Sequence, residues 1–133
     1  LEPTGRSVVL ACPPREQHDL GLRMLADRFT LAGWTAHYLG TDTPVEEICL
    51  AAATLDAELI VLSASTHFNR VLLRGFVDAI AGCAPNARVM VGGPVFSVHP
   101  EYVEQVGADC TSVDAKDAPV QADLLINGRV VSR

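Results

Sequence analysis

The sequence predicts one α/β domain built around a parallel sheet, and three observations carry that expectation. The apolar pattern alternates between short β-branched runs and helical stripes, as strands joined by crossover helices do. The length of 133 residues is that of one ordinary domain, and 49% apolar with 20% charged residues is a globular composition. The run Leu59 to Leu62 is apolar at every position, as a central strand covered on both faces must be.

The elements follow in order. Ser7 to Ala11 reads as a buried strand. Asp19 to Ala32 then sets Leu22, Leu25, Ala26 and Phe29 on one helical face, with Gly33 as the stop. Thr35 to Leu39 is the second strand. Thr43-Pro44-Val45-Glu46 has the form of a capping box with proline at the first helical position, and Ile48, Ala51, Ala52 and Leu55 continue that helix. Leu59 to Leu62 is the third strand, and Val71, Leu72, Phe76, Val77 and Ile80 mark the helix after it. Arg88 to Val91 and Asp109 to Val113 are the fourth and fifth strands. Pro100 to Val106 is a short helix between them, closed by Gly107, and Ala118 to Asn127 is the last helix, with Gly128 after it. Five strand-helix units with right-handed crossovers imply a flavodoxin-like (Rossmann-like) three-layer sandwich with strand order 2-1-3-4-5. Residues 1–6 read as a linker, following a missing N-terminal part, 7–127 as the domain and 128–133 as a tail.

Composition narrows the function. A chain of this size buries roughly two thirds of its unfolded surface, so it needs no staple of disulfides or metal. The net charge of −6 repels phosphate backbones and anionic lipid, so direct nucleic-acid contact from this chain is not expected. No apolar stretch approaches the ~20 residues that cross a bilayer, and no secretory segment opens the sequence. Cys12, Cys49, Cys83 and Cys110 are far apart with no Cys-x-x-Cys pair, which predicts four reduced thiols and a cytoplasmic protein.

In a sheet of this kind ligands sit beyond the carboxyl ends of the strands. The loops there, Cys12 to His18, Gly40 to Thr43, Ser63 to Asn69, Gly92 to His99 and Asp114 to Asp117, hold three of the four histidines. The opposite edge has plain turns. Cys12-Pro13-Pro14 lacks the free N–H groups of a phosphate loop, because each proline removes a donor. Cys-Pro after the first strand and Ser63 after the third are not the acidic residues of a phospho-acceptor receiver. Ser63-Ala64-Ser65-Thr66-His67 is not a nucleophile elbow.

The first loop does offer Glu16-Gln17-His18-Asp19-Leu20-Gly21. A carboxylate two residues before an imidazole can accept from its second ring nitrogen, fixing the tautomer of a metal-ligating histidine. Gly21 in the first helical turn costs about 0.5–1 kcal/mol relative to alanine, which leaves room for something bulky close to the helix. Taken alone, His18 reads as a surface loop residue.

Glu16-x-His18-x-x-Gly21 resembles the Asp-x-His-x-x-Gly motif of cobalamin-binding domains. The resemblance covers roughly Ser7 to Asp114. It implies that His18 replaces dimethylbenzimidazole as the lower ligand of cobalt, with Glu16 orienting it. The displaced nucleotide tail is then expected in a slot walled by Ser63 and by Gly92-Gly93. The cofactor-binding set so implied is Glu16, His18, Asp19, Leu20, Gly21, Ser63, Ala64, Ser65, Thr66, Gly92, Gly93 and Pro94, with His18 on the cobalt of adenosylcobalamin or methylcobalamin. Two departures stand out: glutamate replaces aspartate at Glu16, and Ser63-Ala64-Ser65 stands where the family often has Ser-x-Leu. The flanking Pro13-Pro14 and Tyr38-Leu39-Gly40-Thr41-Asp42-Thr43-Pro44 are most similar to sensory domains of light-responsive MerR-type regulators.

The resemblance thus implies a non-catalytic sensory module of a transcriptional regulator, reaching DNA through a segment outside this chain. The rival is the cobalamin domain of a methyltransferase or mutase, and a plain metal site of Glu16, His18 and His67 is a third reading. A homo-oligomer is compatible with the sequence. His37 reads as a structural histidine within its strand, and His99 as the residue leading into a helix. Trp34 reads as packing, Asp42 and Thr43 as capping, and Asp114 as a site residue by position only. A side chain at Gly93 is expected to block the tail slot without disturbing the fold.

Overall fold

A computed structural model describes residues 3–14, 16, 19–64, 70–111 and 116–127. In chain order the elements are β1 (Ser7–Ala11), α1 (Leu20–Leu31), β2 (Thr35–Gly40), α2 (Val45–Leu55), β3 (Leu59–Ser63), α3 (Arg70–Cys83), β4 (Arg88–Gly92), α4 (Pro94–Val98), α5 (Glu101–Gln105), β5 (Cys110–Thr111) and α6 (Ala118–Ile126). The five strands form one parallel sheet in the order β2-β1-β3-β4-β5, as expected. Val113 and Asp114 lie outside the described residues.

Side-chain alternation along the strands builds two cores. Val9, Ala11, Ile60, Leu62, Val89 and Val91 point to one face, where Ile48, Ala52, Leu73, Val77, Ile80 and Phe96 cover them. Val8, Leu10, Leu59, Val61 and Met90 point to the other, under Leu22, Leu25, Phe29 and Trp34, with Ala118 and Ala122 of α6. Three layers result, with α1 and α6 on one side and the remaining helices on the other. Gly33, at φ +93°, closes α1 in the left-handed region as a helix stop should. Trp34 is packing: it is buried, its ring edge-on to Phe29 at 5.1 Å and its face beneath the Arg6 guanidinium at 5.8 Å. Arg6 also bonds Asp123 at 2.9 Å and Asn127 at 2.8 Å, so the end of the segment read as linker is tied to α6.

Several local expectations are corrected. The capping box does not form, because the Thr43 hydroxyl donates back to the Gly40 carbonyl at 3.1 Å and the N-cap is Pro44, without a side-chain cap bond. Pro94–Val98, read as loop, is a short helix with proline at its start. In α3 the buried stripe is Leu73, Val77 and Ile80, while Val71 and Leu72 are exposed. His37 is exposed on the edge strand, not enclosed by structure. His99 does lead into α5, its Nδ1 3.2 Å from Glu101 and its ring stacked on Tyr102 at 4.6 Å.

The expectation of four reduced thiols also fails: Cys49 and Cys83 form a disulfide, with a Cα separation of 5.8 Å, while Cys12 and Cys110 are free. Residues 34 apart in sequence meet because successive crossovers in one direction place α2 and α3 side by side on one face of the sheet. Thiol titration under denaturing, non-reducing conditions should give two free thiols per chain, and four after reduction. Reduction should lower the unfolding free energy by roughly 3–4 kcal/mol, the loop-closure value for a span of this length.

Candidate functional site

The register of the sheet decides what lies at its carboxyl edge. Leu10 pairs with Val61 and Val61 with Met90, so three bulky side chains form one row beneath α1 and α6. Two residues further along each strand the row becomes Cys12, Ser63 and Gly92, with Ser63 and Gly92 paired directly. Side-chain volume therefore collapses at the edge, from three large groups to a thiol, a hydroxymethyl and a hydrogen. Burial first, and then the Glu16 and Asp19 carboxylates, push the Cys12 thiol from 9.0 up to about 12, so this lining is neutral.

Gly93 has a different reason for being glycine. Its φ is +121°, and a Cβ there would stand 2.0 Å from the Ala64 carbonyl oxygen, while the Ala64 N–H donates to the Gly92 carbonyl at 3.0 Å. The ends of β3 and β4 close on each other through this contact. A larger residue at Gly93 thus strikes the backbone itself, which corrects the expectation of a fold-neutral substitution. Pro94 follows as the exposed first residue of α4. Ser65, Thr66 and His67 lie outside the described residues.

The first loop is stitched to the turn after β2. Cys12 N–H donates to Gly40 at 2.9 Å, Thr43 N–H to Cys12 at 2.8 Å, Asp42 N–H to Glu16 at 3.0 Å, and Glu16 N–H to Pro13 at 3.0 Å. Glu16 is 7% exposed, low for a carboxylate, so the loop folds its acid inward. His18, the expected cobalt ligand, lies outside the described residues. Asp19 follows as the N-cap of α1, but its carboxylate makes no cap bond. It accepts from the Tyr38 hydroxyl and from Arg23 Nε at 3.1 Å, and the Arg23 guanidinium lies 5.5 Å from the Tyr38 ring centroid. Those two donors, Tyr38 first, hold the Asp19 carboxyl below its ordinary range. Tyr38 and Arg23 were absent from the sequence-derived set. Asp19 and Arg23 at i and i+4 were a readable pair, whereas nothing local pointed to Tyr38.

The surface around this edge suits a large apolar ligand. Leu20, Val71 and Leu72 are 73%, 79% and 66% exposed at the starts of α1 and α3. A Cβ at Gly21 would meet nothing within 4 Å, so the chain's own packing does not require glycine there, and the space beside the helix is open. Among the described residues no cluster of three or more His, Cys, Asp or Glu could hold a bare metal ion. A cavity of about 520 Å³ beside β5 and α6, lined by Arg88, Asp109, Thr111 and Gln121 among others, contains no residue of the expected site.

Residues 6–122 match the B12 binding domain. The chain belongs to that family. Cobalamin is therefore its cofactor. The chain is 32% identical over 115 residues to the HTH-type transcriptional repressor CarA of Myxococcus xanthus, a match covering 77% of this chain and 38% of that protein. It is 27% identical over 114 residues to dimethylamine corrinoid protein 2 of Methanosarcina acetivorans, covering 84% and 52%. A cobalamin-binding protein from Desulfitobacterium hafniense DCB-2 superposes with a TM-score of 0.78 at 27% identity, over 89% of this chain and 58% of that one. The chain spans about half the length, or less, of these relatives. The B12 binding domain is a binding module, and the family so sampled includes both a regulator and a corrinoid protein.

Two outcomes follow. Gly93→Val should destabilise the fold by about 2–4 kcal/mol, from a strained φ together with a backbone clash, and chemical denaturation of the cofactor-free chain reads this directly. The Cys12 thiol is raised in the folded state, so its contribution is complete below pH 9.0 and is lost as pH climbs toward about 12. The denaturation midpoint should therefore fall with pH across that window, and Cys12→Ala should reduce the fall without removing it, because burial raises the Cys110 thiol to about 12 as well.

Proposed function

We propose that this chain is the cobalamin-binding sensory module of a transcriptional regulator, holding the corrinoid base-off with His18 as the lower ligand of cobalt. The observation that carries the base-off reading is the row Cys12, Ser63 and Gly92, which leaves room for a displaced tail under α1 where the preceding row leaves none. Glu16, buried beside the same loop, is the carboxylate that orients the imidazole. Leu20 and Gly21 would hold the corrin edge, and Ser63 and Ala64 with Gly92, Gly93 and Pro94 would hold the tail; Ser65 and Thr66 belong to the same proposed set. When bound, the cofactor supplies a cobalt whose upper ligand, adenosyl or methyl, can be cleaved or exchanged. The protein's residues fix the lower ligand and exclude water from it.

The regulatory role is supported by the similarity to a helix-turn-helix repressor. A chain of net charge −6 would leave DNA to another segment of a longer protein. No helix among the described residues is long and apolar enough to cross a membrane. A second reading, a corrinoid carrier serving an enzyme, is supported by the similarity to a dimethylamine corrinoid protein. DNA retention by the longer protein, with and without adenosylcobalamin, in the dark and after illumination, separates the two and tests light as the signal.

Titration with adenosylcobalamin in the dark should give a histidine-ligated absorption spectrum. His18→Ala should abolish that spectrum and leave only weak binding through the tail. Glu16→Gln should cost about 10–100-fold in affinity. Ligation should weaken as pH falls and the imidazole takes a proton. An unchanged spectrum and affinity in His18→Ala would overturn the reading.

A further inference from the structure

We propose that Tyr38 and Arg23 are positioning residues for the cobalt ligand, acting through Asp19. The inference rests on the reading of His18 as that ligand and extends it to two side chains that touch neither cobalt nor corrin.

Asp19 is joined to residue 18 by one peptide bond and begins α1. An aspartate at an N-cap ordinarily accepts from the helix's own N–H groups, and here it does not. One of its oxygens, Oδ2, accepts from a side chain of β2 and from one of the next turn of α1 instead. Tyr38 stands on the strand paired with β1, opposite Leu10, and its ring packs into the core beneath α1. The phenol is thus a fixed post, and Asp19 is moored to it. Arg23 completes the arrangement, its guanidinium bonded to the same carboxylate and lying near the ring of the same tyrosine.

The other flank is held equally well. Glu16 is buried, its N–H bonded to Pro13 and its carbonyl accepting from Asp42 in the turn that follows β2. Glu16 and Asp19, which flank the ligand in sequence, are therefore both fastened to β2 or its turn. An axial ligand must be placed to within a fraction of an ångström, and supporting groups that fix its flanks determine how well it binds. The Arg23 contact matters far less to folding, because an exposed i,i+4 ion pair contributes little to stability.

The test uses Tyr38→Phe and Arg23→Gln in the full chain, with a tail-less corrinoid as the probe. Without a dimethylbenzimidazole tail, any axial nitrogen on cobalt belongs to the protein. Electron paramagnetic resonance of the Co(II) form reads that nitrogen as a superhyperfine splitting, and thermal melting reads the fold. Each variant should lose about tenfold in affinity for the tail-less corrinoid, and less for cobalamin, whose tail still anchors it. The nitrogen splitting should weaken while the melting temperature stays near wild type. Tyr38→Phe should add nothing in an Asp19→Ala background, as expected of residues acting through one another. Folded variants with wild-type splitting and affinity would overturn the inference and leave the cobalamin reading standing. A wild-type chain with no axial nitrogen would overturn that reading, and this inference with it.

Discussion

The pairing of β1 with β3 and of β3 with β4 runs in register through Leu10, Val61 and Met90, and each position beyond that row inherits the alignment. Because strands alternate their side chains, Cys12, Ser63 and Gly92 come to one face at one height. A slip of one residue in any of these strands would send its small residue to the opposite face, under α2 and α3, and break the row. The row of small residues is therefore a property of the ladder. It carries no charge, since the Cys12 thiol stays protonated and the carboxylate of Glu16 belongs to the loop that follows β1.

Above this row the backbone does most of the shaping. The loop after β1 gains its order from main-chain bonds to the turn after β2, and proline at two of its positions limits how else it could run. The β3 and β4 ends meet through Ala64 and Gly93 at a distance that excludes any side chain. Specific chemistry is then delegated to few side chains, each held by several contacts.

Much of the layout was legible in the sequence, and the failures have physical causes. The long stripes of α1 and α2 and the unbroken apolar run of β3 declare themselves through period and composition alone. The α3 stripe misled because Val71 and Leu72 have helical spacing yet lie where no layer covers them. Thr43 looked like a cap because its spacing to Glu46 is right, but the Gly40 carbonyl competes for its hydroxyl. The Cys49–Cys83 bridge and the Tyr38–Asp19 bond depend on which elements become neighbours, and local periodicity carries no trace of that. At the site, the glycine pair was read as a wall of the tail slot, whereas the structure gives Gly93 a reason of its own, the approach of the Ala64 backbone.

The disulfide makes the two halves of the sandwich mechanically unequal. On one side of the sheet α2 and α3 are cross-linked into a single slab, backed by the larger of the two cores. On the other, α1 is held by packing and by the Asp19 mooring at its start, with α6 beside it. The covalent link thus limits how far α2 and α3 can separate in the unfolded chain as well as in the folded one, a constraint that α1 and α6 do not share.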